Sequence, residues 1–202
     1  MSHHSPLRVV VATGNAGKLR ELRACLGDLP LTLLPQNELD VPSPVEDGLS
    51  FVENALIKAR HAARITGLPS LADDSGLEVP ALGGAPGIYS ARYAGEGASD
   101  QDNIDKLLEQ MQSLRHGQRQ ARFRCVIVFM RHAEDPVPII CEGAWDGHIA
   151  ESAGGEGGFG YDPVFCVAGD SRTAAELAPE EKNRLSHRAM ALQQLRARLL
   201  SE

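Results

Sequence analysis

The chain has 202 residues, of which 43% are hydrophobic and 23% charged, a composition typical of a globular domain that buries a core. Its net charge of −7 disfavours non-specific binding to a nucleic acid backbone, and no apolar segment reaches the length of a membrane span. The four cysteines are scattered and never form a C-x-x-C pair, which argues against a zinc site or a disulfide framework. We therefore expect one domain over residues 1–202 that works in the reducing cytoplasm, without a nucleic acid or membrane partner.

The predicted elements alternate between strands and helices along the chain. Strands are predicted at residues 7–12, 121–130, 137–141 and 163–167, where β-branched or alternating apolar residues cluster. Helices are predicted at residues 18–26, 50–67, 99–114 and 186–200, where apolar residues recur at helical spacing. This interleaving predicts an α/β fold with a mixed sheet.

Serine residues mark the expected helix starts. Ser50 and Glu53 form a capping-box pattern, and Gly67 is a typical stop for that helix. Ser99 and Asp102 repeat the pattern for the next helix. The stripe predicted to be buried on the helix after Ser50 consists of Val52, Leu56, Ala59 and Ala63.

Two familiar glycine motifs fail on inspection. The segment from Gly14 to Lys18 ends like a P-loop, but Leu19 stands where the magnesium-binding Ser or Thr belongs. The glycines of GEGGFG at 155–160 match a dinucleotide-binding pattern, but a predicted strand follows instead of the helix that a pyrophosphate requires. Neither motif indicates its usual ligand here.

The segment TGNAGK at 13–18 nevertheless suits an anion. A strand that ends in a glycine turn and enters a helix leaves backbone N–H groups pointing outward, and Thr13, Asn15 and Lys18 add further donors. The alternative interpretation is an ordinary strand-to-helix turn with a surface lysine.

Two adjacent carboxylates, Asp73 and Asp74, follow the apolar start of LADDSGLEV at 71–79. Because successive side chains of an extended chain point to opposite sides, one aspartate can face a cleft while the other orders the turn. A strand that ends in two repelling carboxylates calls for a compensating cation, such as Mg²⁺ with Glu46 as a second ligand. A plain surface turn, with Glu46 merely solvated, is the alternative.

Aromatic residues are 4% of the chain, yet Phe159 and Tyr161 lie together among glycines in GGFGYDPVF at 157–165. Such rings can stack on a planar base, and Asp162 can accept a hydrogen bond from a base N–H. The alternative is that the rings fill the core, as we expect for one of them.

A cluster of cations at Lys182, His187 and Arg188 is predicted to lie at a helix start, where the helix dipole disfavours positive charge. Such an unfavourable placement of charge is typical of a functional site, although a solvated surface turn would show the same sequence pattern. Lys58 either faces the same cleft or points to solvent.

Six segments, in this order, resemble the inosine triphosphate pyrophosphatases in their bacterial dITP/XTP pyrophosphatase form. They are TGNAGK at 13–18, FVENALIKARHAA at 51–63, ADDSGLEVPALGGAPGIYSARYAG at 72–95, GGFGYDPVF at 157–165, TAAEL at 173–177 and SHRAMAL at 186–192. The resemblance implies a two-lobed α/β fold with an elongated, twisted mixed sheet flanked by helices, an active-site cleft between the lobes, and a homodimer.

The resemblance also implies magnesium-dependent hydrolysis of ITP, dITP and XTP to the monophosphate and pyrophosphate, which removes them before incorporation into DNA or RNA. It implies Asp74 as the proton acceptor, and Glu46 with Asp74 as metal ligands. For the triphosphate it implies Thr13, Gly14, Asn15, Ala16, Gly17, Lys18, Ser75 and Lys182. For the base it implies Phe159, Gly160, Tyr161, Asp162, His187 and Arg188.

The hydrogen-bonding edge of the base accounts for the expected selectivity. Hypoxanthine and xanthine carry a 6-keto acceptor, to which Arg188 and His187 can donate, whereas adenine presents an amino donor there. Two other functions remain open at this point, a pyrophosphatase of the same fold directed at pyrimidine or modified nucleotides and a nucleotide sensor that does not hydrolyse.

Overall fold

The computed structural model describes residues 5–201. Its helices are α1 (Ala16–Leu26), α2 (Phe51–Thr66), α3 (Asp100–Gln110), α4 (Pro179–Leu185) and α5 (His187–Ser201). Its strands are β1 (Leu7–Ala12), β2 (Leu31–Pro35), β3 (Ser70–Glu78), β4 (Gln120–Met130), β5 (Ile139–Ile149) and β6 (Phe165–Val167). Within these residues no helix is both long and apolar enough to cross a membrane.

The six strands form one mixed sheet in the order β2-β1-β3-β4-β5-β6. β1 pairs in parallel with β2 and with β3, whereas β5 pairs antiparallel with β6. The predicted α/β class and mixed sheet are therefore confirmed. Ala12 lies opposite Ala72 in the β1–β3 pair, so Thr13 and Asp73 are the next residues along these two parallel strands.

The chain divides into two compact units, each built from non-contiguous segments. Unit 1 comprises the described residues up to 74, residues 125–143, and those from 188 onward, and unit 2 comprises residues 75–124 and 144–187. β3, β4 and β5 each contribute residues to both units. The assignment of the whole chain to a single domain stays a prediction.

Side chains on both faces of the sheet build the core of unit 1. On one face, Val9 packs with Leu22 of α1 and Leu192 of α5. On the other face, Val10 packs with Ala59 and its neighbours on α2. The alternation of side chains along β1 thus places successive valines in two different apolar clusters.

Unit 2 has a core of its own and one unusual buried cation. Leu107 of α3 belongs to the same buried apolar cluster as Phe165 of β6. Arg119 is also buried, and its guanidinium donates to the carbonyl oxygens of Met111, Ile149 and Ala150, at distances of 2.7–2.8 Å. This side chain links the end of α3 to the end of β5.

The predicted helix caps are confirmed. The Ser50 side chain accepts the N–H of Glu53, and Gly67 ends α2 in the left-handed conformation at φ 66°. Ser99 and Asp102 form a reciprocal capping box at the start of α3. Because these signals are local in sequence, no tertiary contact is needed to predict them.

The buried face of α2 is partly different from the prediction. Ala59 and Ala63 are buried as expected, together with Ala55 and Ala62. Val52 and Leu56, which the prediction places in the buried stripe, are only partly buried. A row of alanines, the smallest side chains of the helix, therefore faces the sheet.

The turn predicted after Asp73 and Asp74 is wrong, because β3 continues through both residues as far as Glu78. Their charges do not end the strand because each carboxylate has its own cationic partner, Lys18 for Asp73 and Lys58 for Asp74.

The predicted strand at 137–141 starts later and is much longer, since β5 runs from Ile139 to Ile149. Val137 is 72% exposed and belongs to the preceding turn. The buried Asp135 carboxylate organises that turn by accepting the N–H groups of Arg131 and Val137, at 3.0 and 2.9 Å. β2 and α4 are not among the predicted elements.

Candidate active site

The turn between β1 and α1 carries the predicted anion-binding features. Asn15 caps α1 by accepting the N–H of Lys18 on its side chain at 3.0 Å, and Thr13 Oγ1 accepts the N–H of Asn15 at 3.1 Å. In the described part of the chain, the N–H groups of Ala16 and Gly17 have no acceptor. These two amides at a helix N-terminus are ready donors for an anion.

The Asp73 carboxylate is fully buried and holds two cations of unit 1. Lys18 Nζ lies 2.5 Å from Oδ1, and Arg188 Nε lies 2.7 Å from Oδ2. Burial alone would raise the pKa of Asp73, but Arg188 and then Lys18 outweigh it and hold that pKa well below its usual range. Asp73 therefore stays ionised and orders the cations around it.

Asp74, the next residue, faces a different cation. Lys58 Nζ on α2 lies 2.5 Å from Asp74 Oδ1 and 3.2 Å from Glu46 Oε2. Burial raises the pKa of Asp74 above its ordinary value, and the Lys58 cation only partly offsets this. The two neighbouring aspartates thus differ in character, since the pKa of Asp73 is lowered and that of Asp74 is raised.

Glu46 and Asp74 are the predicted metal ligands, and their positions can be tested against that role. Both carboxylates reach the same ammonium group of Lys58, so their oxygens converge on one position that suits a cation. The described residues contain no group of three or more His, Cys, Asp or Glu side chains that could hold a metal ion. Mg²⁺ commonly takes one or two carboxylates and completes its shell with water and phosphate oxygens, so this pair fits it.

The segment that carries Glu46 is fixed on both sides of that residue. His61 Nε2 lies 2.9 Å from the Pro42 carbonyl oxygen, and the buried Asn54 accepts the N–H of Gly48 at 2.9 Å. A Cβ atom on Gly48 would lie 2.7 Å from Asn54 Oδ1, so only glycine fits at this contact. The backbone around Glu46 is therefore held close to α2.

In unit 2, Lys182 and Asp162 form a buried ion pair. Lys182 Nζ lies 2.5 Å from Asp162 Oδ2, and the same oxygen accepts the N–H of Phe159 at 2.8 Å. Lys182 Nζ also lies 4.7 Å from the centre of the Phe159 ring. The prediction that Lys182 lies at a helix start is wrong, because it lies in the last turn of α4, where the dipole favours a cation.

The two rings predicted to stack on a base have different surroundings. Tyr161 is 4% exposed and its hydroxyl donates to the Ser90 carbonyl oxygen at 2.8 Å, so Tyr161 is the ring that fills the core. Phe159 is only partly buried. His187 is buried and stacks on Phe123, with 4.7 Å between ring centres and 10° between planes.

The predicted site residues fall into two groups. Residues 13–18, Glu46 and Asp74 belong to unit 1, and Ser75, residues 159–162, Lys182 and His187 belong to unit 2. Arg188 belongs to unit 1, is 2% exposed, and binds the carboxylates of Asp73 and Glu21. A role for Arg188 in reading the base stays a prediction.

Two polar residues of α2, Asn54 and His61, are absent from the predicted set, and for Lys58 the prediction left open whether it faces the cleft or solvent. Asn54, Lys58 and His61 follow one another at spacings of four and three residues, so they share one helix face. All three contact the segment that carries Glu46. A polar row at helical spacing, next to a row of alanines, was the signal that could have found them.

Comparisons with known proteins identify the family of the chain. The sequence model of the Ham1 family matches residues 9–198. A dITP/XTP pyrophosphatase of Shigella flexneri is 59% identical over 188 residues, which cover 93% of this chain and 95% of that protein. A similar relative from Pectobacterium atrosepticum, also named dITP/XTP pyrophosphatase, is 60% identical over the same shares. The structure of a HAM1 protein from Coxiella burnetii superposes with a TM-score of 0.90 at 51% identity, covering 97% of this chain and all of that one.

Proposed function

Since the chain belongs to the Ham1 family, we propose that it hydrolyses the non-standard purine nucleoside triphosphates ITP, dITP and XTP to the monophosphate and pyrophosphate. The observation that carries this proposal is the convergence of Asp74, Glu46 and Lys58, in a chain about 59% identical to dITP/XTP pyrophosphatases over nearly their whole length. The same activity would clear such nucleotides before a polymerase uses them.

The reaction needs a water molecule that attacks the α-phosphorus. As the new O–P bond forms, the bond from that phosphorus to the bridging oxygen breaks, and pyrophosphate leaves. Asp74 accepts the proton of the attacking water, and its raised pKa suits a group that must take up a proton and release it. Lys58 holds the Asp74 and Glu46 carboxylates in place.

We propose that Glu46 and Asp74 hold Mg²⁺, which neutralises phosphate charge when it is bound. Burial opposes the charged form of Lys58, but the attraction of Asp74 and then Glu46 outweighs it and raises the pKa of Lys58. Lys58 therefore stays charged and keeps the two carboxylates oriented at neutral pH.

The phosphate tail is assigned to the start of α1. The N–H groups of Ala16 and Gly17 supply donors there, and Thr13 adds a hydroxyl. The charge of Lys18 is balanced by Asp73, so the backbone amides carry a large part of the binding. Ser75 and Lys182 keep their proposed roles in binding the same tail.

Selection of the base is assigned to the segment at 159–162 and the cations near it. We propose that the base stacks on Phe159, the less buried of the two rings. A 6-keto oxygen can accept from Arg188 and His187, whereas the amino group of adenine cannot.

A substrate panel tests this function. Purified protein with Mg²⁺ is expected to release pyrophosphate from dITP, ITP and XTP, and far less from dATP, dGTP, dTTP or UTP. Preferred hydrolysis of dTTP or UTP would indicate a pyrimidine enzyme, and binding of dITP without pyrophosphate release would indicate a sensor. Activity is expected to disappear with a chelator and return with Mg²⁺.

The Asp74→Asn variant isolates the proposed proton acceptor. It should bind dITP as the wild type does and lose at least about 10²-fold in turnover. Substantial residual turnover would remove Asp74 from this role. Light scattering at micromolar concentration tests the proposed homodimer, with the mass of two chains as the expected result.

A further inference from the structure

The segment that carries Phe159 is held at three consecutive residues. The N–H of Phe159 donates to Asp162 at 2.8 Å, the N–H of Gly160 donates to Asp100 Oδ2 at 2.7 Å, and the Tyr161 hydroxyl is bonded to a buried carbonyl. The first of these contacts is made within the segment itself. Asp100, sixty residues away in sequence, ties the segment to the start of α3.

Asp100 is a firm attachment point although it is exposed. It is the first residue of α3, directly after the capping box of Ser99 and Asp102. Further along the same helix, Ile104 and Leu107 are buried in the core of unit 2. A carboxylate at a helix N-terminus is favoured by the helix dipole, and a charge-assisted bond to an amide is stronger than a neutral one.

Next to this contact, two glycines and the Lys182–Asp162 ion pair fix one side of the segment. Gly158 and Gly160 adopt the left-handed conformation, at φ 76° and 61°. A Cβ on Gly158 would lie 2.1 Å from Asp162 Oδ2, so the backbone there is pressed against the ion pair with Lys182. The Gly160 amide is on the side of the segment that Asp100 of α3 contacts.

We propose that Asp100 is a positioning residue for base binding, which acts by holding the Gly160 amide so that the Phe159 ring is presented to the base. This inference rests on the proposed function and adds to it a residue that none of the recognised motifs contains. Without the contact, the ring samples other orientations, and a base that must stack on it binds less tightly, while the groups that handle the phosphates are unchanged.

Two variants and one control test the proposal. Asp100→Ala removes the acceptor, whereas Asp100→Asn keeps an amide oxygen that can accept from Gly160. Asp105→Ala is the matched control, since Asp105 is exposed on the same helix and contacts only Gln101 of that helix. With dITP, Asp100→Ala should raise KM about tenfold, the usual effect of one lost charge-assisted hydrogen bond, and leave kcat within about twofold.

Hydrogen exchange supplies a measurement that does not depend on activity. The Gly160 amide of Asp100→Ala should exchange at least about tenfold faster than in the wild type, with partial protection in Asp100→Asn and full protection in Asp105→Ala. Unchanged KM and unchanged Gly160 exchange in Asp100→Ala would overturn the proposal, as would a loss confined to kcat. If the wild type fails to hydrolyse dITP, the proposed function fails, and Gly160 exchange still decides whether Asp100 holds the segment.

Discussion

Replacing Asp73 or Asp74 by asparagine should have opposite consequences, although the two residues are neighbours. Asparagine matches aspartate in size, so each change removes a charge without opening a cavity. Asp73→Asn leaves the ammonium of Lys18 and the guanidinium of Arg188 without the fully buried carboxylate that both contact. Breaking a buried ion pair from one side typically costs about 3–5 kcal/mol, which for a chain of this length lowers Tm by about 6–20 °C.

Asp74→Asn should cost far less stability, because burial already disfavours the ionised form of Asp74 and Lys58 keeps Glu46 as a partner. Urea unfolding, followed both by circular dichroism and by the fluorescence of the single, buried Trp145, measures both free energies. Asp73→Asn should shift the midpoint strongly, whereas Asp74→Asn should keep the midpoint and lose turnover. A stability loss below about 1 kcal/mol for Asp73→Asn, or equal losses for both variants, would refute the reasoning.

Three further changes test other parts of the structure. Gly48→Ala forces a methyl group against Asn54 and should displace Glu46, which raises the Mg²⁺ concentration for half-maximal activity about tenfold and costs about 1–3 kcal/mol of stability. Burial opposes ionisation of Asp135, but the hydrogen bonds that its carboxylate accepts from backbone N–H groups outweigh this and lower its pKa. The stability advantage of the wild type over Asp135→Asn, measured by urea unfolding, should therefore be complete at pH 6 and shrink as pH falls below about 4. Arg119→Met removes the guanidinium from three carbonyl oxygens, of which that of Met111 keeps another donor, the Leu114 N–H, and should lower the free energy of unfolding by about 2 kcal/mol or more.

Each of these predictions has a control and a contradicting result. Gly117→Ala is the control for Gly48→Ala, because its added methyl group meets nothing within 4 Å and should leave the Mg²⁺ dependence unchanged. An equal effect of the two substitutions would contradict the argument that the contact of Gly48 with Asn54 positions Glu46. A pH-independent difference for Asp135→Asn would show that its carboxylate contributes no charge effect. Arg122→Met, at a partly exposed arginine of the same strand region, should cost less than about 1 kcal/mol, and parity with Arg119→Met would contradict the role of the three carbonyls.

Signals that are local in sequence predicted the helix caps and the first strand correctly, but they did not predict the ion pairs of the buried aspartates. The caps at Ser50 and Ser99 and the apolar run of β1 depend on neighbours in sequence, and the structure confirms them. The path of the chain through Asp73 and Asp74 was predicted wrongly, because the cations that compensate them come from α1, α2 and α5. The nine residues of β3 alone do not contain that information.

The candidate site shows the same division. The pair of carboxylates and the turn before α1 were predicted from residue type and spacing, and the structure places Lys18 on Asp73. The link from Glu46 to Asp74 through Lys58 requires α2 to lie beside β3, which spacing in sequence does not reveal. The contact between Asp100 and Gly160 spans sixty residues and was not predictable for the same reason.

The alanine row of α2 determines how far a lysine can reach. Ala55, Ala59 and Ala62 pack against the sheet with small side chains, and this close packing lets the ammonium of Lys58, on the adjoining helix face, reach Asp74. A bulkier side chain in that row would act as a spacer, lifting the whole helix and drawing the ammonium away from the carboxylate. The size of these buried side chains therefore sets the distance between Lys58 and the Asp74 carboxylate, and a mutational scan should find these alanines less replaceable by leucine than the exposed positions of the same helix.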